Sequence, residues 1–136
     1  MYERDRIGLA LLLLRVSIFI VMLVWTLDKF INPGHAAAVY EKFYLLGGLG
    51  KEFMYGVGAI ELIILAGFIS GAWKRITYGT VLALHTISTL ASYKQYLAPY
   101  DGANILFFAA WPMLAACITL YLLRDRDTLL SLKTGR

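Results

Sequence analysis

The sequence predicts an all-α integral membrane protein: a bundle of four transmembrane helices with a short amphipathic helix at the interface between spans one and two. Three observations carry that prediction. The 136 residues are 60% hydrophobic and only 16% charged, against about 25% charged in an ordinary soluble domain, and the mean hydropathy is +0.66. The apolar residues gather into four long runs, and the basic residues sit at the ends of those runs. The length suits a single domain covering residues 1–136.

The first run, about 7–30, is long enough to cross about 30 Å of hydrocarbon at about 1.5 Å per residue. It is too long for the apolar core of a cleaved signal and no small-residue cleavage site follows, so it is expected to remain as a helix. Asn32-Pro33-Gly34 stops it. Residues 35–46 are too few and too polar to span. Ala36, Val39, Tyr40, Phe43 and Leu46 recur at helical spacing opposite Glu41 and Lys42, which predicts a helix in the interface or folded back over the bundle. Gly47, Gly48 and Gly50 end it.

The second run, about 53–72, and the third, about 76–93, are separated only by Trp73-Lys74-Arg75 and form a tight antiparallel hairpin. Gly67 and Gly71 within the second run predict close helix packing inside the chain. A loop from Lys94 to Gly102 leads to the fourth run, about 103–123, with a kink expected at Pro112 because proline removes a helix hydrogen bond. A charged cytoplasmic tail, 124–136, reads as a topology signal. Arg4, Arg6, Lys74, Arg75, Arg124, Arg126, Lys133 and Arg136 fall on one side, and Lys29, Lys42, Lys51 and Lys94 on the other. Eight cations against four place both termini inside.

Scattered basic residues argue against a nucleic-acid partner. The lone cysteine, Cys117, lies in an apolar run, so neither an internal disulfide nor a cysteine-rich metal site is available, and no metal site is expected. His35 and His85 are the only histidines and are separated by the topology.

Ionisable groups inside a span are costly and need partners. Arg15, Glu61 and His85 are such groups. Counted from the run ends, Arg15 lies about 12 Å from the inner boundary, Glu61 about 12 Å from the outer one, and His85 about 13–14 Å from the inner one. This spacing predicts an Arg15–Glu61 ion pair near the midplane with His85 close by. Ser88, Thr89, Ser92 and Tyr96 follow His85 along one helical face, and Asn104, Phe108 and Trp111 share one side of the fourth run. With Asp28, Lys29 and Asp101 at the outer mouth, the pattern predicts a polar cavity open outward. The candidate ligand-binding residues are Arg15, Glu61, His85, Lys29, Tyr96, Asn104 and Trp111, and no catalytic residue is assigned. Each has a plainer structural reading: the ion pair as a helix lock, the hydroxyl stripe as helix–helix contact.

Leu14-Arg15, then Leu27-Asp28-Lys29 running into Phe30-Ile31-Asn32-Pro33, then Glu61-Leu62 before Gly67, resemble the DoxX family of four-span inner-membrane proteins over about residues 11–123. The resemblance implies a bacterial or archaeal cytoplasmic membrane. It also implies membership among proteins similar to the large subunit of a thiosulfate:quinone oxidoreductase, or among accessory partners of redox proteins. The expected function is a membrane subunit associated with quinone-linked redox chemistry. Quinone is the expected ligand, no covalent cofactor is expected, and a soluble or membrane redox partner supplies electrons. Carrier of a small solute, with oligomerisation to make room for a path, is one alternative, and a structural anchor or assembly factor is another.

Overall fold

The computed structural model describes residues 2–134, so Met1, Gly135 and Arg136, one of the eight inner-side cations, lie outside the described residues. Every regular element among them is helical: α1 (Glu3–Ile31), α2 (Pro33–Tyr44), α3 (Lys51–Ser70), α4 (Lys74–Ala91), α5 (Tyr93–Leu97), a 3₁₀ turn (Asn104–Ala109), α6 (Ala110–Leu122) and a 3₁₀ turn at Arg124–Arg126. Three helical stretches are long and apolar enough to cross a membrane: α1, α3 and Asn104–Leu122. The fourth expected span, α4, falls outside that set. Its 18 residues begin with Lys74 and Arg75 and carry Thr77, Thr80, His85, Thr86, Ser88 and Thr89.

α1, α3, α4 and α6 form a closed ring in which each helix packs on its two neighbours. Its core is Leu11, Ile18, Leu65, Phe68, Tyr78, Val81, Cys117 and Leu120. The outward side chains are as apolar as the core: Leu13 is 62% exposed, Ile63 73% and Leu106 72%. A surface of that kind is suited to lipid rather than water.

Two glycines set the closest approaches. A Cβ on Gly58 would lie 2.6 Å from the Phe30 ring, and one on Gly67 would lie 2.8 Å from Thr77 Cγ2. Gly67 therefore serves packing within the chain, as the sequence predicts. α3 ends at Gly71, in the left-handed region at φ 71°, where the Ala72 N–H bonds Gly67 O at 2.9 Å and the Gly71 N–H bonds Phe68 O at 3.1 Å. This double closure turns the chain sharply into α4.

Pro33 occupies the first turn of α2, where its missing N–H costs nothing. α2 folds back over α1, α3 and α4, held by Ala36 in the interface and by a 2.7 Å hydrogen bond between the Tyr44 and Ser88 hydroxyls. The disturbance expected at Pro112 appears one turn earlier. Proline cannot donate to the carbonyl four residues back, and the preceding residues wind as 3₁₀ helix before α6 begins.

Candidate functional site

The expected Arg15–Glu61 pair does not form, and the antiparallel register of α1 on α3 shows why. Phe30 meets Gly58, Thr26 and Lys29 meet Glu61, and Arg15 lies against Gly71. Glu61 is therefore opposite a point about 11 residues, or roughly 16 Å, further along α1 than Arg15. The estimate from run ends placed Ile7 level with the α3–α4 turn. In fact α1 runs well past that turn, so the depth assigned to Arg15 belongs to a residue further along.

Each charge has another partner. Arg15 is fully buried and its Nη1 lies 3.3 Å from Asp127 Oδ2. Nη1 also donates to the Tyr78 hydroxyl at 3.3 Å, which in turn donates to Asp127 Oδ2 at 2.6 Å. Nη2 donates to the carbonyls of Leu129 at 2.5 Å and Leu130 at 3.2 Å. Asp127 is as buried as Arg15. The guanidinium thus ties α1 to α4 and to the segment after α6, so this part of the charged tail packs against the bundle.

Glu61 Oε2 accepts from Lys29 Nζ at 3.1 Å and from the Thr26 hydroxyl at 2.9 Å. The Tyr40 ring of α2 covers the ammonium, 5.7 Å from its centroid, in cation–π geometry. Burial, and secondarily the negative charge of Glu61, push the Tyr40 phenol up to about 12.

His85 turns away from both pairs. Its Nε2 bonds Ala110 O at 2.9 Å, and since a carbonyl only accepts, Nε2 carries the proton. The hydroxyl stripe is likewise engaged: Thr89 donates to His85 O at 2.7 Å and Ser92 to Ser88 O at 3.0 Å. Tyr96 packs on Trp111 and Phe108, with centroids 5.3 and 5.4 Å away. Asn104 donates to Ala98 O at 2.9 Å and closes the loop before α6. Of the seven candidates, the structure joins Lys29 to Glu61 and Tyr96 to Trp111. It leaves Arg15, His85 and Asn104 in separate contacts.

Among the described residues, two surface clefts of about 320 and 220 Å³ are not lined by the seven candidates. The larger lies against the end of α1 and the start of α2, lined by Val24, Trp25, Asp28, Ile31, Asn32 and His35. His35 Nδ1 is 2.6 Å from Asp28 Oδ2. A carboxylate accepts, so Nδ1 donates and Nε2 is left as an acceptor on a side chain that is 58% exposed. The seven-residue spacing of these two groups across the Asn32-Pro33 corner is visible in the sequence, but their meeting depends on how α2 folds back. Among the described residues no three His, Cys, Asp or Glu side chains converge on a point that would hold a metal ion. Comparisons with family models, with curated proteins and with solved structures yield no match to this chain.

Proposed function

We propose that this chain is a four-span membrane subunit serving quinone-linked redox chemistry, with both chain termini on the cytoplasmic side of a bacterial or archaeal membrane. Its resemblance to the DoxX family points the same way. The observation that carries the reading is the Asp28–His35 pair in the cleft beside Trp25. A quinol travels in the lipid, so its site needs a lateral opening, an apolar wall and an acceptor for the hydroxyl proton. Val24, Trp25 and Ile31 are exposed side chains that supply the wall. His35 Nε2 accepts a hydrogen bond from a quinol hydroxyl, and Asp28 holds the ring in the tautomer that leaves Nε2 as an acceptor. The two electrons come from a redox partner subunit, and the two protons that complete the quinol are taken up from water.

This reading moves the site from His85, Glu61, Lys29, Tyr96 and Trp111 to the corner between α1 and α2. A second reading, an anchor or assembly subunit, is favoured by the two buried ion pairs, both of which tie α1 to other parts of the chain. The test is quinone-analogue binding to the purified protein in mild detergent, with His35→Ala and His85→Ala beside it. Loss of binding by tenfold or more in His35→Ala alone is the expected result. Equal binding by all three, or none by any, discards the cleft and leaves the anchor.

A further inference from the structure

We propose that the smaller cleft, of about 220 Å³ between the end of α2 and the start of α5, binds the phosphate of an acidic phospholipid through Lys42 and Lys94. This inference needs the chain to sit in a bilayer and does not rest on the quinone site.

The two lysines are distant in sequence, and tertiary contacts bring them to one cleft. The Tyr44 hydroxyl bonds the Ser88 hydroxyl at 2.7 Å, and the Phe43 ring lies 5.9 Å from that of Phe107. These contacts fix the end of α2 against α4 and against the turn before α6. α4 gives way to α5 at Ser92, and Lys94 follows in the first turn of α5. Each ammonium rests beside an aromatic ring of the same cleft: Lys42 Nζ is 5.3 Å from the Phe43 centroid, and Lys94 Nζ is 6.0 Å from that of Tyr93. Such contacts lay the lysine stems along the wall.

No carboxylate answers these charges. The three ion pairs among the described residues are held by Arg15, Lys29 and His35. Glu41, next to Lys42, turns back onto Gly47, its Oε1 3.5 Å from the Cβ position of that glycine. A cleft lined by one sign of charge and apolar walls concentrates the opposite ion, and an anion between two ammonium groups offsets their repulsion.

The surroundings of the cleft select a lipid over a free anion. Leu45, in its wall, is 85% exposed. Leu90 and Ile87 lie about one and two turns before Lys94 on the outward side of α4 and are 61% and 56% exposed. Acyl chains bury that apolar track, which runs from the cleft down α4. The cleft is smaller than the about 300–1,000 Å³ of pockets that enclose a drug-sized ligand, so it suits a headgroup whose chains stay outside. Basic pockets between membrane helices recognise lipid headgroups in this way.

Native mass spectrometry of the full chain released from detergent micelles, with dioleoylphosphatidylglycerol or dioleoylphosphatidylcholine added, tests the site. One phosphatidylglycerol per chain, held roughly tenfold more tightly than phosphatidylcholine, is the expected result. Lys42→Gln with Lys94→Gln should weaken that first binding by roughly tenfold, and Lys42→Arg with Lys94→Arg should retain it. Both lysines are exposed, so these changes leave the packed core untouched. Lys51→Gln, which removes an exposed cation outside the cleft, should leave binding unchanged. Equal affinity for the two lipids, or an equal loss in Lys51→Gln, would mean a general attraction of charge and would overturn the site. Displacement of phosphatidylglycerol by inorganic phosphate at the same concentration would assign the cleft to a free anion and overturn the lipid.

Discussion

Removing Glu61 tests which cation it serves. Lys29 Nζ and Glu61 Oε2 are 3.1 Å apart, with side chains 9% and 14% exposed. At an effective dielectric constant of about 20 their attraction is roughly 5 kcal/mol, partly offset by desolvation of both ions. Glu61→Gln strands the ammonium while keeping an amide oxygen that can accept from the Thr26 hydroxyl. Lys29→Gln strands the carboxylate. Each should lower stability by about 3–5 kcal/mol, the range for breaking a buried pair from one side. The double variant has no charge to strand, so its loss should fall short of the sum by roughly 1–3 kcal/mol. Arg15→Gln combined with Glu61→Gln should be additive to within about 0.5 kcal/mol, since the two sites share no partner. Far-ultraviolet circular dichroism during SDS titration of the protein in mixed micelles measures all five variants. Additivity between Lys29 and Glu61, or coupling between Arg15 and Glu61, would refute the register of α1 on α3.

Gly58→Ala should cost roughly 1–3 kcal/mol in the same titration, because its Cβ would sit 2.6 Å from the Phe30 ring. Phe30→Leu in the same chain should restore part of it, and a neutral Gly58→Ala would mean that the helices stand further apart. Tyr40 should ionise near pH 12 in a phenolate absorbance titration differenced against Tyr40→Phe. Its folded-state pKa lies above the ordinary value of 10.0, so its contribution to stability is complete below about pH 10 and is lost as pH rises through about 12. Glu61→Gln should lower that midpoint, and an unchanged value would remove Glu61 from the vicinity of Tyr40.

The helical class, the corner at Asn32-Pro33 and the packing role of Gly67 were legible because each depends on local sequence. Hydropathy marks the runs, proline and glycine mark their ends, and small residues mark close contacts. The partners of the buried charges were not legible, because they depend on the relative height of helices that start at different levels. Placing Ile7 rather than Arg15 level with the α3–α4 turn, an error of about eight residues, displaced Arg15 by most of the distance to Glu61. A signal for its true partner did exist. Asp127 is followed by Leu129, Leu130 and Leu132, an apolar pattern set within the charged tail. The candidate cleft escaped for a different reason: Asp28 and His35 meet only because α2 folds back, and the sequence left open whether α2 folds back or lies flat.

The four-span reading rests on continuity of the chain rather than on the apolarity of α4. The end of α3 at Gly71 and the segment after α6 both lie beside Arg15, so α3 and α6 finish on the same side of the bundle. A chain that leaves α3 on that side and must begin Asn104–Leu122 on the other has to cross between them. α4 is the helix in that interval with the length to do it, at about 27 Å for its 18 residues. Its polarity is compatible with such a path because of where its hydroxyls go. Thr80 and Thr86 each donate 2.7 Å bonds to the carbonyls of Ile76 and Leu82, four residues back, and Thr77 donates to Ala72 O at 2.9 Å. Hydroxyls returned to the helix backbone in this way expose few unsatisfied groups to lipid. His85 and Thr89, the most polar level of the helix, are buried against α6. α4 thus faces its polar residues inward or folds them onto its own backbone, which is the arrangement the proposed fourth span requires.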